Sequence, residues 1–122
     1  MAANSDHIRK TIDRYIEFMN ASSFDSIAEL YAENATLEDP IGTEPLHGRE
    51  AIRKFYADAV GNVTLELSGN PRVAAGQVAF PMRARIGGTA TLEIIDVMVF
   101  NDDGQIDSMR AFWSTDDFQP AS

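Results

Sequence analysis

Apolar residues in the first sixty positions recur every three or four residues. Ile8, Ile12, Tyr15, Ile16 and Met19 fall on one stripe, the spacing of a helix that hides one side and wets the other. That stripe predicts an amphipathic helix of about 15 residues. Ser22 or Ser23 suits the cap of a second helix, with Phe24, Ile27, Leu30 and Tyr31 as its buried stripe. An extended stretch runs from Ala35 to Asp39 and ends at Pro40 and Gly42. A third helix follows Gly48, with Ile52, Phe55, Tyr56 and Val60 on one face and Gly61 as its stop.

From Val63 onward the period changes to two, the signature of strands. Val63, Leu65 and Leu67 alternate with polar residues. Val78, Phe80, Met82, Ala84 and Ile86 form one face of the next strand, with Arg83 and Arg85 on the other. Pro81 within this pattern implies an edge or a bulge, because proline cannot donate to a sheet ladder. Gly87-Gly88 marks a tight hairpin turn into a strand running from Leu92 to Phe100. Asn101-Asp102-Asp103-Gly104 is a second turn, leading to a strand from Ile106 through Ser114. Three long strands joined by short turns make an antiparallel meander. Helices first and strands afterwards predict an α+β domain, three N-terminal helices packed on one mainly antiparallel sheet.

Composition narrows the possibilities. A chain of 122 residues with 44% apolar content suits one domain, residues 1–122, with one core. With no cysteine, disulfides, thiolate metal sites and thiol nucleophiles are excluded, which fits a reducing cytoplasm. Met1 to Lys10 has no apolar core of a signal peptide, and no run approaches the roughly 20 apolar residues of a membrane span. A formal net charge of −9 argues against nucleic acid as a partner and serves solubility. His7 and His47 have no metal-ligand spacing and read as solvated. There is no zinc-protease motif, phosphate-cradling glycine loop, dinucleotide fingerprint or nucleophile elbow.

Asp96 is the residue the pattern does not explain. Its strand face is Leu92, Ile94, Asp96, Met98 and Phe100, apolar but for one carboxyl, and no Lys or Arg occurs between Arg85 and Arg110. An unpaired carboxylate is costly to bury, so such a group tends to stay protonated and to act as a hydrogen-bond donor. The alternative is a structural Asp satisfied by backbone N–H groups. Asp39 stands where the extended stretch meets a turn; it is either a turn-forming Asp before Pro or a functional carboxylate. Glu38 should face the other way and be solvated. Tyr15 lies on a buried stripe, where its hydroxyl needs a partner, a backbone carbonyl or a functional one. Tyr31 and Tyr56 also fall on buried helix faces, and three inward phenols could form a hydrogen-bonded chain.

Taken together, several segments resemble one family. Arg14-Tyr15, Leu37-Glu38-Asp39-Pro40-Ile41-Gly42-Thr43-Glu44-Pro45, Ile52-Arg53-Lys54-Phe55-Tyr56, Ile95-Asp96-Val97-Met98 and Met109-Arg110-Ala111-Phe112-Trp113 are similar, in order and spacing, to bacterial steroid delta-isomerases (ketosteroid isomerases). The resemblance implies a cone-shaped α+β fold shared with nuclear-transport-factor-like proteins, in which a curved sheet and three helices enclose an apolar pocket. It implies a homodimer packed through the sheet, a steroid substrate, and no metal or organic cofactor. Residue by residue, it assigns Asp39 as general base, and Tyr15 and Asp96 as donors to an oxyanion. Tyr56 and Tyr31 become supports for the first donor. Phe55, Met82, Ala84, Leu92, Ile94, Met109 and Trp113 become pocket positions. The implied reaction converts a 3-oxo-Δ5-steroid to its conjugated Δ4 isomer through a dienolate. Other enzymes of the same cone, among them polyketide cyclases, dehydratases and epoxide hydrolases, and a non-catalytic binding module are the competing readings; fold alone does not separate them.

Overall fold

A computed structural model describes residues 3–120. Helix α1 (Ser5–Asn20) starts where the Asn4 side chain accepts from the His7 amide at 2.8 Å, satisfying one of the free N–H groups of a first turn. Its inward residues are Ile8, Thr11, Ile12, Tyr15 and Met19. Helix α2 (Phe24–Glu29) is short and buries Ile27 and Ala28. Helix α3 (Arg49–Ala59) follows Gly48, whose φ of +95° is open to glycine at little cost.

The strands are β1 (Tyr31–Glu38), β2 (Leu46–His47), β3 (Val63–Leu67), β4 (Arg72–Ala74), β5 (Gln77–Ile86), β6 (Ala90–Phe100), β7 (Ile106–Phe112) and β8 (Phe118–Pro120). They form one sheet in the order β2-β1-β7-β6-β5-β3, with β4 also on β5 and β8 also on β6. The expected meander is β5-β6-β7. All described pairings are antiparallel except β1 with β7, which is parallel. The hairpin turn between β5 and β6 has φ of +57° at Gly87 and +78° at Gly88, a conformation that favours glycine at both positions. Pro81 sits inside β5, a strand with neighbours on both sides. It lies opposite the gap where β3 has ended and β4 has not begun, so its missing N–H leaves no vacant ladder position.

The core fills the space between helices and sheet, with Ile8, Ile12, Ile52, Phe80, Met98 and Ile106 fully enclosed. Asn20 at the end of α1 exchanges two hydrogen bonds with the backbone of Leu65, fixing the helix over β3. The outer face of the sheet carries the ion pairs Arg83–Glu93 and Arg85–Glu66, both at 2.8 Å. Among the described residues no helix is long and apolar enough to cross a membrane.

Besides Pro81, which lies at neither an edge nor a bulge, three expectations change. Tyr31 is the first residue of β1 instead of the end of α2; its partner Ile106 lies far along the chain, and no local period reveals it. His7 is not simply solvated: its Nε2 is 2.7 Å from the Gly104 carbonyl, and its ring meets Phe100 edge-on. The last strand ends at Phe112, after which Ser114 and Asp117 form a capping box on a single 3₁₀ turn (Thr115–Asp117) that feeds β8.

Candidate active site

A cavity of about 360 Å³ opens between α1, α3 and the concave face of the sheet, within the range of small-molecule sites. Its wall is mostly hydrocarbon: Met19, Phe55, Val60, Val63, Leu65, Met82, Ile86, Leu92, Ile94 and Phe118 are among its lining. The polar side chains reaching it are Tyr15, Tyr56, Asp39, Asp96 and Trp113.

Asp96 is central on β6, and the strand's alternation turns it inward with Leu92, Met98 and Phe100. It is 2% exposed, and no described residue makes a hydrogen bond or ion pair with its carboxyl. Among the described residues no buried side-chain oxygen is sealed off without a partner, so the oxygens of Asp96 face the cavity. Burial, and next the charge of Asp39, hold this carboxyl well above the ordinary range of an aspartate. The structural alternative, an Asp satisfied by backbone amides, does not describe this residue.

Asp39 follows β1, and the parallel pairing of β1 with β7 brings it beside the end of β7. The loop is tied there by the Ile41 amide, which donates to the Ala111 carbonyl at 2.8 Å. The Trp113 indole N–H donates to Asp39 Oδ1 at 2.8 Å across 74 positions of sequence. Burial pushes the Asp39 pKa up and the indole bond pulls it down. The turn itself is held by Glu38, whose Oε2 accepts from the Gly42 amide at 3.0 Å, so Glu38 is not merely solvated and Asp39 is left free of the turn.

The three tyrosines meet. The Tyr15 and Tyr56 hydroxyls are 3.1 Å apart, and those of Tyr31 and Tyr56 are 2.7 Å apart. All three are buried, and burial is the first cause of the upward shift of each phenol. They therefore stay protonated, with one proton each for two shared bonds. If Tyr31 donates to Tyr56 and Tyr56 to Tyr15, the Tyr15 proton is left to point into the cavity. Tyr31 does not reach the cavity; its backbone carbonyl takes two hydrogen bonds from Arg49, at 3.1 and 2.6 Å.

Of the expected pocket positions, Phe55, Met82, Leu92, Ile94 and Trp113 line the cavity. Ala84 and Met109 do not. Ala84 is buried and paired between Leu65 and Leu92, both of which do line the cavity; Met109 is buried in the core, paired with Met98 and Leu37. Phe118 was missed by sequence reasoning. The spacing Ser114-x-x-Asp117, a capping-box pattern, was the available signal of a turn that could bring it back.

The SnoaL-like domain model matches residues 12–109. The steroid delta-isomerase of Nocardioides simplex is 42% identical over 117 residues, covering 93% of this chain and 94% of that protein. The chain belongs to the SnoaL-like family, among the bacterial ketosteroid isomerases. The fold is accordingly the nuclear-transport-factor-like cone expected above. The epoxide hydrolase LasB of Streptomyces lasalocidi is 28% identical over 93% of this chain, which spans 44% of that longer protein. The solved structure of SalBIII, an epoxide hydrolase/cyclase-like enzyme of pyran ring formation in the polyether salinomycin, superposes with a TM-score of 0.84. It is 30% identical, with 92% of this chain and 94% of that one covered.

Within this family the arrangement has a clear chemical capacity. One carboxyl with a single N–H donor and one carboxyl with none share an apolar cavity, and a phenol backed by two others stands beside them. A group that can accept a proton thus faces groups that can donate hydrogen bonds.

Proposed function

We propose that this protein is a steroid delta-isomerase that moves the double bond of a 3-oxo-Δ5-steroid into conjugation. Asp39, ionised, removes a proton from the carbon between the ketone and the double bond. Charge passes to the ketone oxygen as a dienolate, and Tyr15 and protonated Asp96 donate hydrogen bonds to that oxygen. Asp39 then returns the proton at the far end of the dienolate, so the base is regenerated and no electrons are gained or lost. The observation that carries this reading is the unequal solvation of the two carboxyls in one cavity, one with a donor and one without.

Energetics favour the same division of labour. Donors fixed in an apolar site act where charge develops and need no rearrangement, and one such donor is commonly worth 10²- to 10³-fold in rate. A flat hydrocarbon substrate suits a wall with few polar groups, since burial of apolar area supplies its binding. The deciding measurement is absorbance of the conjugated enone after a Δ5-3-ketosteroid is added. No increase above the uncatalysed rate would sink the proposal.

Kinship to LasB and SalBIII favours one other reading, in which Asp96 protonates an epoxide oxygen while Asp39 takes the proton of an attacking hydroxyl. It predicts loss of an epoxide substrate without enone formation. The expected homodimer is supported by Ile95 (49% exposed) and Phe112 (42% exposed), paired across β6 and β7 on the outer face of the sheet. Sedimentation of the wild type against Ile95→Lys tests it; a monomeric wild type refutes it. A cysteine-free chain is consistent with a cytoplasmic setting.

A further inference from the structure

Along β6 the cavity changes character. Asp96 stands at one level, and Leu92 lies four residues away, about 13 Å along the strand. Asp39 belongs to the Asp96 side, because it follows Glu38, the partner of Arg110, and Asp96 is paired with Ala111; Trp113, one residue past the Ile95–Phe112 pair, stands between the two ends, with its indole N–H on Asp39 and its ring against Phe118. The other end is built by Val60, Val63, Ile86, Leu92 and Phe118, brought together by the pairings Val63 with Ile86 and Leu92 with Phe118. None of these side chains can donate or accept a hydrogen bond. Phe118 is 37% exposed, so its ring forms part of the rim.

That ring is also held in place. Its backbone is paired to β6 through β8, the capping box of Ser114 and Asp117 sets the approach of the chain, and the Trp113 ring meets it edge-on at 5.8 Å. An aromatic surface already fixed before binding loses little freedom when a ligand covers it. An oxygen function brought to this end finds no side-chain partner, whereas hydrocarbon laid against the ring is withdrawn from water.

We propose that Phe118 is a specificity-determining residue: its exposed ring receives a hydrocarbon side chain at the end of the substrate remote from the ketone. The preferred substrate is then a 3-oxo-Δ5-steroid bearing an alkyl chain there instead of an oxygen function. This rests on the isomerase reading for the placement of the ketone.

The experiment uses two Δ5-3-ketosteroids with the same rings, one carrying a branched alkyl chain at the remote end and one a second ketone. Wild type should show the higher kcat/KM on the alkyl substrate. Phe118→Ala should raise KM for that substrate by roughly tenfold more than for the diketone, the scale of a lost hydrophobic contact, with a larger effect on KM than on kcat. Phe118→Leu should recover most of the loss. Equal losses on both substrates, or none on either, overturn the proposal. Trp113 is the chain's single tryptophan and lines the cavity, so its fluorescence follows binding of each conjugated product without turnover. If neither ketone is isomerised but Phe118→Ala still weakens only the alkyl ligand, the isomerase reading fails and the role of Phe118 stands. If enone forms with no dependence on the alkyl chain, the role of Phe118 fails and the isomerase reading stands.

Discussion

Asp39 and Asp96 are the same amino acid in one cavity, yet their hydrogen-bonding surroundings differ. Asp39 sits on a loop at the end of a strand, half-buried, with an indole N–H on one oxygen. Asp96 sits mid-strand, buried, with no partner among the described residues. Burial raises both, and only Asp39 has a hydrogen bond that opposes the rise. One side chain is thereby suited to hold a negative charge and the other to hold a proton, without any change of residue type.

The largest effect expected from breaking this contrast is at Asp39. Asp39→Asn should lower kcat by about 10³- to 10⁴-fold, the upper range of a general base, while a phenolic steroid that mimics the dienolate still binds. Near-native turnover in this variant removes Asp39 from the role of base. Asp96→Leu should cost roughly 10²- to 10³-fold in kcat, as expected for one lost oxyanion donor. Asp96→Asn should cost less, because an amide still donates. Tyr56→Phe should lower kcat by about 3- to 10-fold, corresponding to one net hydrogen bond, with KM little changed.

Two pH experiments sharpen the contrast further. Trp113→Phe deletes the bond that lowers the Asp39 pKa, so the acidic limb of the kcat/KM profile should move to higher pH. An unmoved limb shows that the indole does not tune the base. For Asp96 the folded pKa lies above the unfolded one, so the folded protein binds the extra proton between the two values. Its contribution is intact below the ordinary aspartate range and is lost as pH rises toward the folded pKa. Each pH unit between the two values is worth about 1.4 kcal/mol. The Tm advantage of Asp96→Asn over wild type should therefore grow as pH rises from 4 to 8; a constant difference contradicts it.

Much of this site could be read before any fold was known, and the reasons are local. The period of α1 and α3 puts Tyr15 and Tyr56 on inward stripes, and the alternation of β6 isolates Asp96 on an apolar face. Contacts between distant segments were not legible. The parallel pairing of β1 with β7 decides that Trp113 reaches Asp39, and it leaves no period in either strand. Tyr31 fits the helical stripe of α2 by spacing, but its strand partner lies 75 positions away. Phe118 comes from a three-residue strand too short to carry a pattern. Ala84 and Met109 have the correct parity for the concave face, yet parity does not tell which inward side chain reaches the cavity.

The chain of phenols separates two properties that most sites must adjust together. Tyr31 touches the Tyr56 hydroxyl but not the cavity, so a change there alters how strongly the first phenol is polarised and leaves the contour met by the substrate intact. Under the proposed reaction, the donor strength of Tyr15 can therefore be retuned from the third ring while the shape of the binding space stays unchanged.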